Sequence, residues 1–243
     1  MSMLEFETFA YLDVQKTGST FISYFLQKFS KEKEVSYRQH RNAGDAYDPG
    51  KFYFISIRDP LDQYLSLYSF GCGGDGALRK KLRRRGLDDL YDSTWKGFRR
   101  WLRFALAPEN ADVFSAEYGE GKNLSDLIGF QTYRFLELAF SNPIEVLGSC
   151  HTRDDIREAY RQHNISKYTI RNETLNDNLG ELLSRHLRNS ITDLDEAREF
   201  LSAGHRLNTS DRFDKFQHDS SLPPKLEQSL HEREWLLHEL FGY

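Results

Sequence analysis

Apolar positions near the amino terminus change their spacing within one short stretch. Phe9, Tyr11, Leu12 and Val14 predict a buried strand. After Gln15-Lys16-Thr17-Gly18-Ser19-Thr20 the pattern resumes with helical spacing at Phe21, Ile22, Phe25, Leu26 and Phe29. Glu34–Gln39 (EVSYRQ) is expected to be a short second strand, and 41–51, carrying Gly, Asn, Asp and Pro, a loop. FYFISI at 52–57 is too short for a helix and predicts a central buried strand, which Arg58-Asp59-Pro60 ends. Leu61, Tyr64, Leu65 and Tyr68 then share one helical face. Beyond the glycine-rich break at 71–76, helices are expected at 95–106, 125–140, 154–163, 175–187 and 222–241, with a strand at 168–171 and an irregular stretch from 107 to 124. Strands alternating with helices predict an α/β fold with a central parallel sheet in three layers. No repeat, low-complexity tract or linker divides the chain, so residues 1–243 are expected to form a single domain.

Composition narrows the classes. A chain of 243 residues can bury a substantial core, and 18 Phe and 13 Tyr supply bulky side chains for it. No run of 18 apolar residues is present, so no membrane span is expected, and MSMLEFETF lacks the basic flank and apolar core of a secretory signal. Cys72 and Cys150 have neither CxxC nor His spacing for zinc. Two free thiols in a reducing, cytoplasmic setting are expected, with no metal. A net charge of −4 argues against a general nucleic-acid binder.

The turn at 15–20 carries the first candidate chemistry. A strand feeding a helix through Lys, Gly and hydroxyl residues suits an oxyanion, because the first helical N–H groups lack partners and the helix dipole favours negative charge. Gly18 permits close backbone approach, and Lys16 adds a point charge. The plainer alternative is a strand–helix connection whose Ser and Thr cap the helix. It is not GxxxxGK[ST], since Lys16 precedes Gly18 and no glycine lies upstream within reach. Arg58, at the carboxyl end of a buried strand, and Ser66, two helical turns on, together match a phosphate monoester. Against this, Arg58 can pair with Asp59 or Asp62, leaving Ser66 an ordinary helix residue. His40, ending the expected second strand on the same sheet edge as Lys16 and Arg58, is the candidate general base. Asp45 and Asp48 of the same loop are the next choices.

Taken together, Lys16-Thr17-Gly18-Ser19-Thr20 and IRDPLDQYLSLYSF resemble the 5′-phosphosulfate loop and 3′-phosphate motif of sulfotransferases that use 3′-phosphoadenosine 5′-phosphosulfate (PAPS), in particular the carbohydrate-modifying, heparan- and chondroitin-type members. Arg58, Asp59, Pro60, Ser66 and Tyr68 match in order. Gln15 stands where Pro is common, and Gln63 where Arg is common. Weaker likenesses are Gly129–Leu136 (GFQTYRFL), Arg171-Asn172-Glu173-Thr174-Leu175 and the tail from Arg206-Leu207-Asn208-Thr209-Ser210 to Phe241-Gly242-Tyr243. About 72–124 is unmatched and reads as a variable acceptor-side insertion. The resemblance implies a P-loop-NTPase-like sulfotransferase fold and PAPS as sulfuryl donor, without metal. It implies in-line transfer to a hydroxyl of a carbohydrate or other small acceptor. Gln15, Lys16, Thr17, Gly18, Ser19 and Thr20 would hold the 5′-phosphosulfate, and Arg58 and Ser66 the 3′-phosphate. Arg206, Asn208 and Ser210 would fold over the nucleotide, His40 would take the acceptor's proton, and Lys16 would neutralise the leaving group.

The run Arg79–Arg85 holds six positive charges in seven positions. It is either a solvated face or positive charge beside an acidic acceptor. Tyr91, Trp95 and Trp101 nearby can offer flat faces to sugar rings or form a small aromatic core. Two rival functions remain: a nucleotide phosphotransferase with a divergent phosphate loop, and a catalytically idle nucleotide-binding scaffold on the same fold.

Overall fold

The strands are few and short, and only a mixed sheet satisfies them. In the computed structural model, which describes residues 3–37, 42–74, 76–120, 122–204 and 221–243, five strands are present. They are β1 (Leu4–Glu5), β2 (Phe9–Leu12), β3 (Ser36–Tyr37), β4 (Phe52–Ile57) and β5 (Tyr168–Arg171), ordered β3-β1-β2-β4-β5. The pairs β2–β4 and β4–β5 are parallel, whereas β1 is antiparallel to both β2 and β3. The class is α/β, but the sheet is mixed where a parallel one was expected. The reason is the link between β1 and β2, where the Phe6 N–H donates to the Phe9 carbonyl at 2.9 Å. A connection this tight allows only an antiparallel neighbour, since parallel strands need a crossover of a dozen residues or more. Two-residue strands leave no periodicity in the sequence, so β1 is a feature found only in the structure.

The chain divides into two compact units, each drawing on three separate segments. The first contains Met1–Arg58, Phe135–Pro143 and Tyr160–Thr209; the second contains Asp59–Arg134, Ile144–Ala159 and Ser210–Tyr243.

In the first unit one face of the sheet is built from alternate residues. The register sets Tyr11 opposite Phe54 and Phe54 opposite Tyr168, so Phe9, Phe54 and Ile170 share that face. Helix Ser19–Phe29 buries Phe21, Ile22, Phe25, Leu26 and Phe29, the residues whose spacing predicted it. They join Leu179, Leu182 and Leu183 of helix Leu175–Arg185 and Ala197 and Leu201 of helix Leu194–Ser202 in one apolar cluster with the sheet. Leu194–Ser202 was not expected. Asp193 starts it, its carboxylate accepting from the Asp195 and Glu196 amides, and Phe200 stacks on Phe21.

The second unit is helical and aromatic. Helix Pro60–Cys72 presents Tyr64 and Tyr68 to Trp101 of helix Trp95–Leu106, and Phe98, Tyr91 and Phe114 complete the cluster. The stretch expected to be irregular contains short helices at Ala111–Phe114, Ala116–Glu120 and Lys122–Leu127. Two helices expected to be continuous are broken: 125–140 becomes Lys122–Leu127 and Phe130–Ala139, and 222–241 becomes Pro224–Arg233 and Trp235–Phe241. One arrangement accounts for both breaks. Arg233 donates to the carbonyls of Ser125, Asp126 and Ile128 at the end of one helix. The next residue, Glu234, is fully buried at the start of the other and accepts from the Gln131 amide at 3.2 Å, the Thr132 amide at 2.8 Å and the Thr132 hydroxyl at 2.6 Å. A cation at a helix carboxyl end and an anion at an amino end both oppose the local dipole charge. Tyr64 also donates to Glu234, at 2.6 Å. Burial, then the Glu234 charge, raises its phenol well above the ordinary tyrosine range and keeps it a donor. Gly129 leaves room for the carboxylate: a Cβ there would collide with Glu234 Oε1.

Candidate functional site

Parallel strands deliver their following segments to one edge. The register sets Leu12 beside Ile55 and Ile57 beside Arg171, so the turn at 15–20, Arg58 and the 3₁₀ turn Asn172–Thr174 all leave the sheet at the carboxyl ends of β2, β4 and β5, where ligands of α/β sheets collect.

The turn has a specific backbone. Lys16 has φ 65° and Gly18 φ 93°, both left-handed, and Lys16 holds this without being glycine. Gly18 then gives way to the right-handed helix, an alternation that turns successive N–H groups to one side. Helix Ser19–Phe29 begins without a side-chain cap, so its first amides keep no partner from the helix itself. Ser19 is half-buried and Thr20 exposed. The capping alternative for this turn is therefore not the arrangement adopted. Gly18 serves packing as well as conformation: a Cβ would meet Asn172 Nδ2 at 2.8 Å and Leu175 Cδ2 at 3.3 Å. Asn172 thus lies over the turn, a position that the weak likeness at 171–175 did not assign to it.

Thr17 points the other way. It is fully buried, its hydroxyl donates to the Val14 carbonyl at 2.6 Å, and it meets Ser56 Oγ, which in turn meets the Tyr11 hydroxyl. Any contact of Thr17 with an anion is therefore through its backbone. Asp13, which the residue pattern did not single out, is a buried carboxylate just ahead of the turn, with Tyr37 Oη at 3.5 Å. A signal for Ser56 existed: it is the one small polar residue in FYFISI, and a buried polar group needs a partner.

Arg58 is half-buried at the end of β4. Asp59 caps the next helix, accepting from the Asp62 amide at 3.0 Å. Ser66 is half-buried and Gln63 buried on helix Pro60–Cys72, in the second unit. Strand β3 runs in the direction of β2 and so toward the edge that carries the turn. His40, Arg206, Asn208 and Ser210 lie outside the described residues. Asp45 is in the 3₁₀ turn Gly44–Ala46, its side chain outside the description. Asp48 is excluded as a base at this edge. It precedes β4, accepts from the Gly50 amide at 2.8 Å, and a strand of this length separates it from Arg58 by roughly 20 Å.

The basic run is partly neutralised. Arg79 Nε donates to Asp88 at 2.9 Å and Nη1 to the Gly71 carbonyl at 2.8 Å, while Arg85 pairs with Asp112 at 2.7 Å. Trp101 is fully buried, Tyr91 nearly so, and Trp95 is half-buried on Phe98, so these aromatics build the core of their unit. Cys72 and Cys150 are free thiols. Among the described residues no helix is long and apolar enough to cross a membrane. A cavity of about 280 Å³ is lined by Asn176, Asp177, Gly180, Arg198, Leu201 and Ser202. It shares no lining residue with the turn, and its arginine is already held by the Ser184 hydroxyl at 3.0 Å. The turn, with a helix terminus and two basic residues at one strand edge, is the stronger site. No protein-family model, curated protein or solved structure matches this chain.

Proposed function

We propose that this protein is a sulfotransferase that moves the sulfuryl group of PAPS to a hydroxyl of an acceptor, a carbohydrate in the first instance, on a three-layer, P-loop-NTPase-like fold in the cytoplasm. The observation that supports it best is the left-handed Lys16–Gly18 turn opening an uncapped helix at the edge where Arg58 also emerges. The order of the two phosphate motifs along the chain adds to it. Backbone amides of 17–20 hold the 5′-phosphosulfate, and Lys16 stabilises the charge left on the departing bisphosphate. The resemblance assigns the 3′-phosphate to Arg58 and Ser66, the nucleotide to Arg206, Asn208 and Ser210, and the acceptor's proton to His40.

Thermal unfolding with adenosine 3′,5′-bisphosphate and, separately, ATP with Mg²⁺ tests the reading. The bisphosphate is expected to raise the melting temperature without metal, adding about 2.7 kcal/mol at ~100 times its Kd, with ATP far behind. Arg58→Ala should cost bisphosphate binding about 1.5–3 kcal/mol and adenosine 5′-phosphate much less. Equal stabilisation by ATP and Mg²⁺ would transfer the protein to the phosphotransferases.

A further inference from the structure

We propose that Ser56 is a positioning residue for the anion turn: through a buried, directional chain of hydroxyls it holds the Thr17 backbone, and with it the amides on either side, in the conformation that receives a 5′-phosphate group. The inference rests on the donor reading above and adds to it a residue from outside both phosphate motifs.

The direction of the chain follows from counting protons. Tyr11, Ser56 and Thr17 each carry one hydroxyl hydrogen, and all three residues are fully buried. Thr17 Oγ1 gives its hydrogen to the Val14 carbonyl at 2.6 Å, because a carbonyl can only accept. Its contact with Ser56 Oγ at 2.5 Å must then be filled by the Ser56 hydrogen. The contact of Ser56 with Tyr11, also 2.5 Å, is filled by the phenol in turn. Burial first, and the nearby Asp13 charge second, hold the Tyr11 phenol well above the ordinary tyrosine range, so this donor stays protonated.

The position of the chain explains what it does. Tyr11 is on β2 and Ser56 on β4, a rigid parallel pair stacked through Tyr11 and Phe54. Thr17 is the residue between the two left-handed positions, Lys16 and Gly18. Left-handed backbone at a lysine is unfavourable and persists only when its surroundings over-determine it. The Ser56 link ties the middle of the turn to the sheet and supplies that determination. A strand alanine at 56 would remove the hydroxyl that bridges Tyr11 and Thr17 in a buried site.

The test uses the full chain, with Ser56→Ala, Ser56→Thr and Tyr11→Phe, and reads two quantities. In titrations, Ser56→Ala should weaken adenosine 3′,5′-bisphosphate about tenfold, the worth of one lost hydrogen bond, yet leave adenosine 3′-phosphate, which lacks the 5′ group, within about twofold. Ser56→Thr, which keeps the hydroxyl, should restore most of the affinity. Amide hydrogen exchange without ligand should quicken at residues 17–20 in Ser56→Ala while helix Leu175–Arg185 keeps its protection. Equal weakening of both ligands, or unchanged exchange at the turn, overturns the proposal. If the wild type binds neither nucleotide, the donor reading falls, and the exchange data alone decide whether Ser56 holds the turn. Should Ser56→Ala fail to fold, Tyr11→Phe removes the first donor only, and quickened exchange at 17–20 in that variant is the result required.

Discussion

Two helices of this protein face the same electrostatic problem and solve it in opposite ways. Phe130–Ala139, whose first residues belong to the second unit, starts on the buried carboxylate of Glu234, which takes two amides, the Thr132 hydroxyl and the Tyr64 phenol. Ser19–Phe29, in the first unit, starts on a left-handed glycine with no side-chain cap. A helix amino terminus carries about half a positive charge and several unpaired amides. Where the chain supplies its own anion, the terminus is used up in holding the fold. Where it does not, the terminus is where the anion of the proposed donor is expected. The difference teaches that a helix start is informative about function only once its cap is known.

The comparison can be broken from either side. The largest effect is expected at the closed terminus. Glu234→Ala strands a buried phenol, a buried hydroxyl and two amides, and should lower stability by on the order of 3–5 kcal/mol in denaturant titration. Gly129→Ala should also be severe, because its Cβ would collide with Glu234 Oε1. In the Glu234→Ala background its added cost should shrink, and strict additivity in that double-mutant cycle would count against the close approach.

At the open terminus the expected loss of stability is smaller. Gly18→Ala should cost about 1–2 kcal/mol, chiefly for left-handed backbone, since the Asn172 amide group it meets is the movable end of a side chain. The same change should abolish stabilisation by the bisphosphate, which Glu234→Ala in a still-folded sample should not do. A neutral Gly18→Ala would mean that the turn is not strained as described.

The smallest effect concerns a third kind of start, at helix Arg153–His163. There the exposed Asp155 carboxylate accepts from the His151 and Thr152 amides, each at 2.8 Å. The His151 amide first, then the Thr152 hydroxyl, holds the Asp155 carboxyl below the ordinary aspartate range. A carboxyl depressed on folding contributes fully above the range in which a free aspartate titrates, and that contribution fades as pH falls through the folded value. Asp155→Asn should therefore leave the acid end of the stability–pH curve nearly where it is and lower the plateau near neutral pH slightly. Carboxyl chemical shifts measured through an acid titration check the direction; an Asp155 midpoint at or above that of free aspartate would contradict it.

Much of the fold is legible in the residue pattern. β4 and β5, the helix Trp95–Leu106 and the buried face of Ser19–Phe29 follow from spacing alone, because strong periodicity over several residues leaves few alternatives. The turn at 15–20 and Arg58 stand out as candidates for binding an anion from residue type and order. Glu234 is not: it reads as one more surface glutamate in a helical run, and its burial depends on Gly129, Thr132 and Tyr64, the furthest of them 170 residues away. The continuous helices expected at 125–140 and 222–241 failed for the same reason, since each break exists to serve the other.

Local pattern therefore determined the elements, the α/β class and the residue types available for binding an anion. Hydrophobic spacing and turn chemistry act over a few residues and are written in consecutive letters. Tertiary structure alone decided which helix start is closed by Glu234 and which stays open, and that Asn172 lies over Gly18. It also decided that Ser56 joins Tyr11 to Thr17, and that Asp48 lies at the wrong end of its strand. Those outcomes depend on strand register and on burial, which bring together groups far apart in the chain and remove the water that would otherwise partner them.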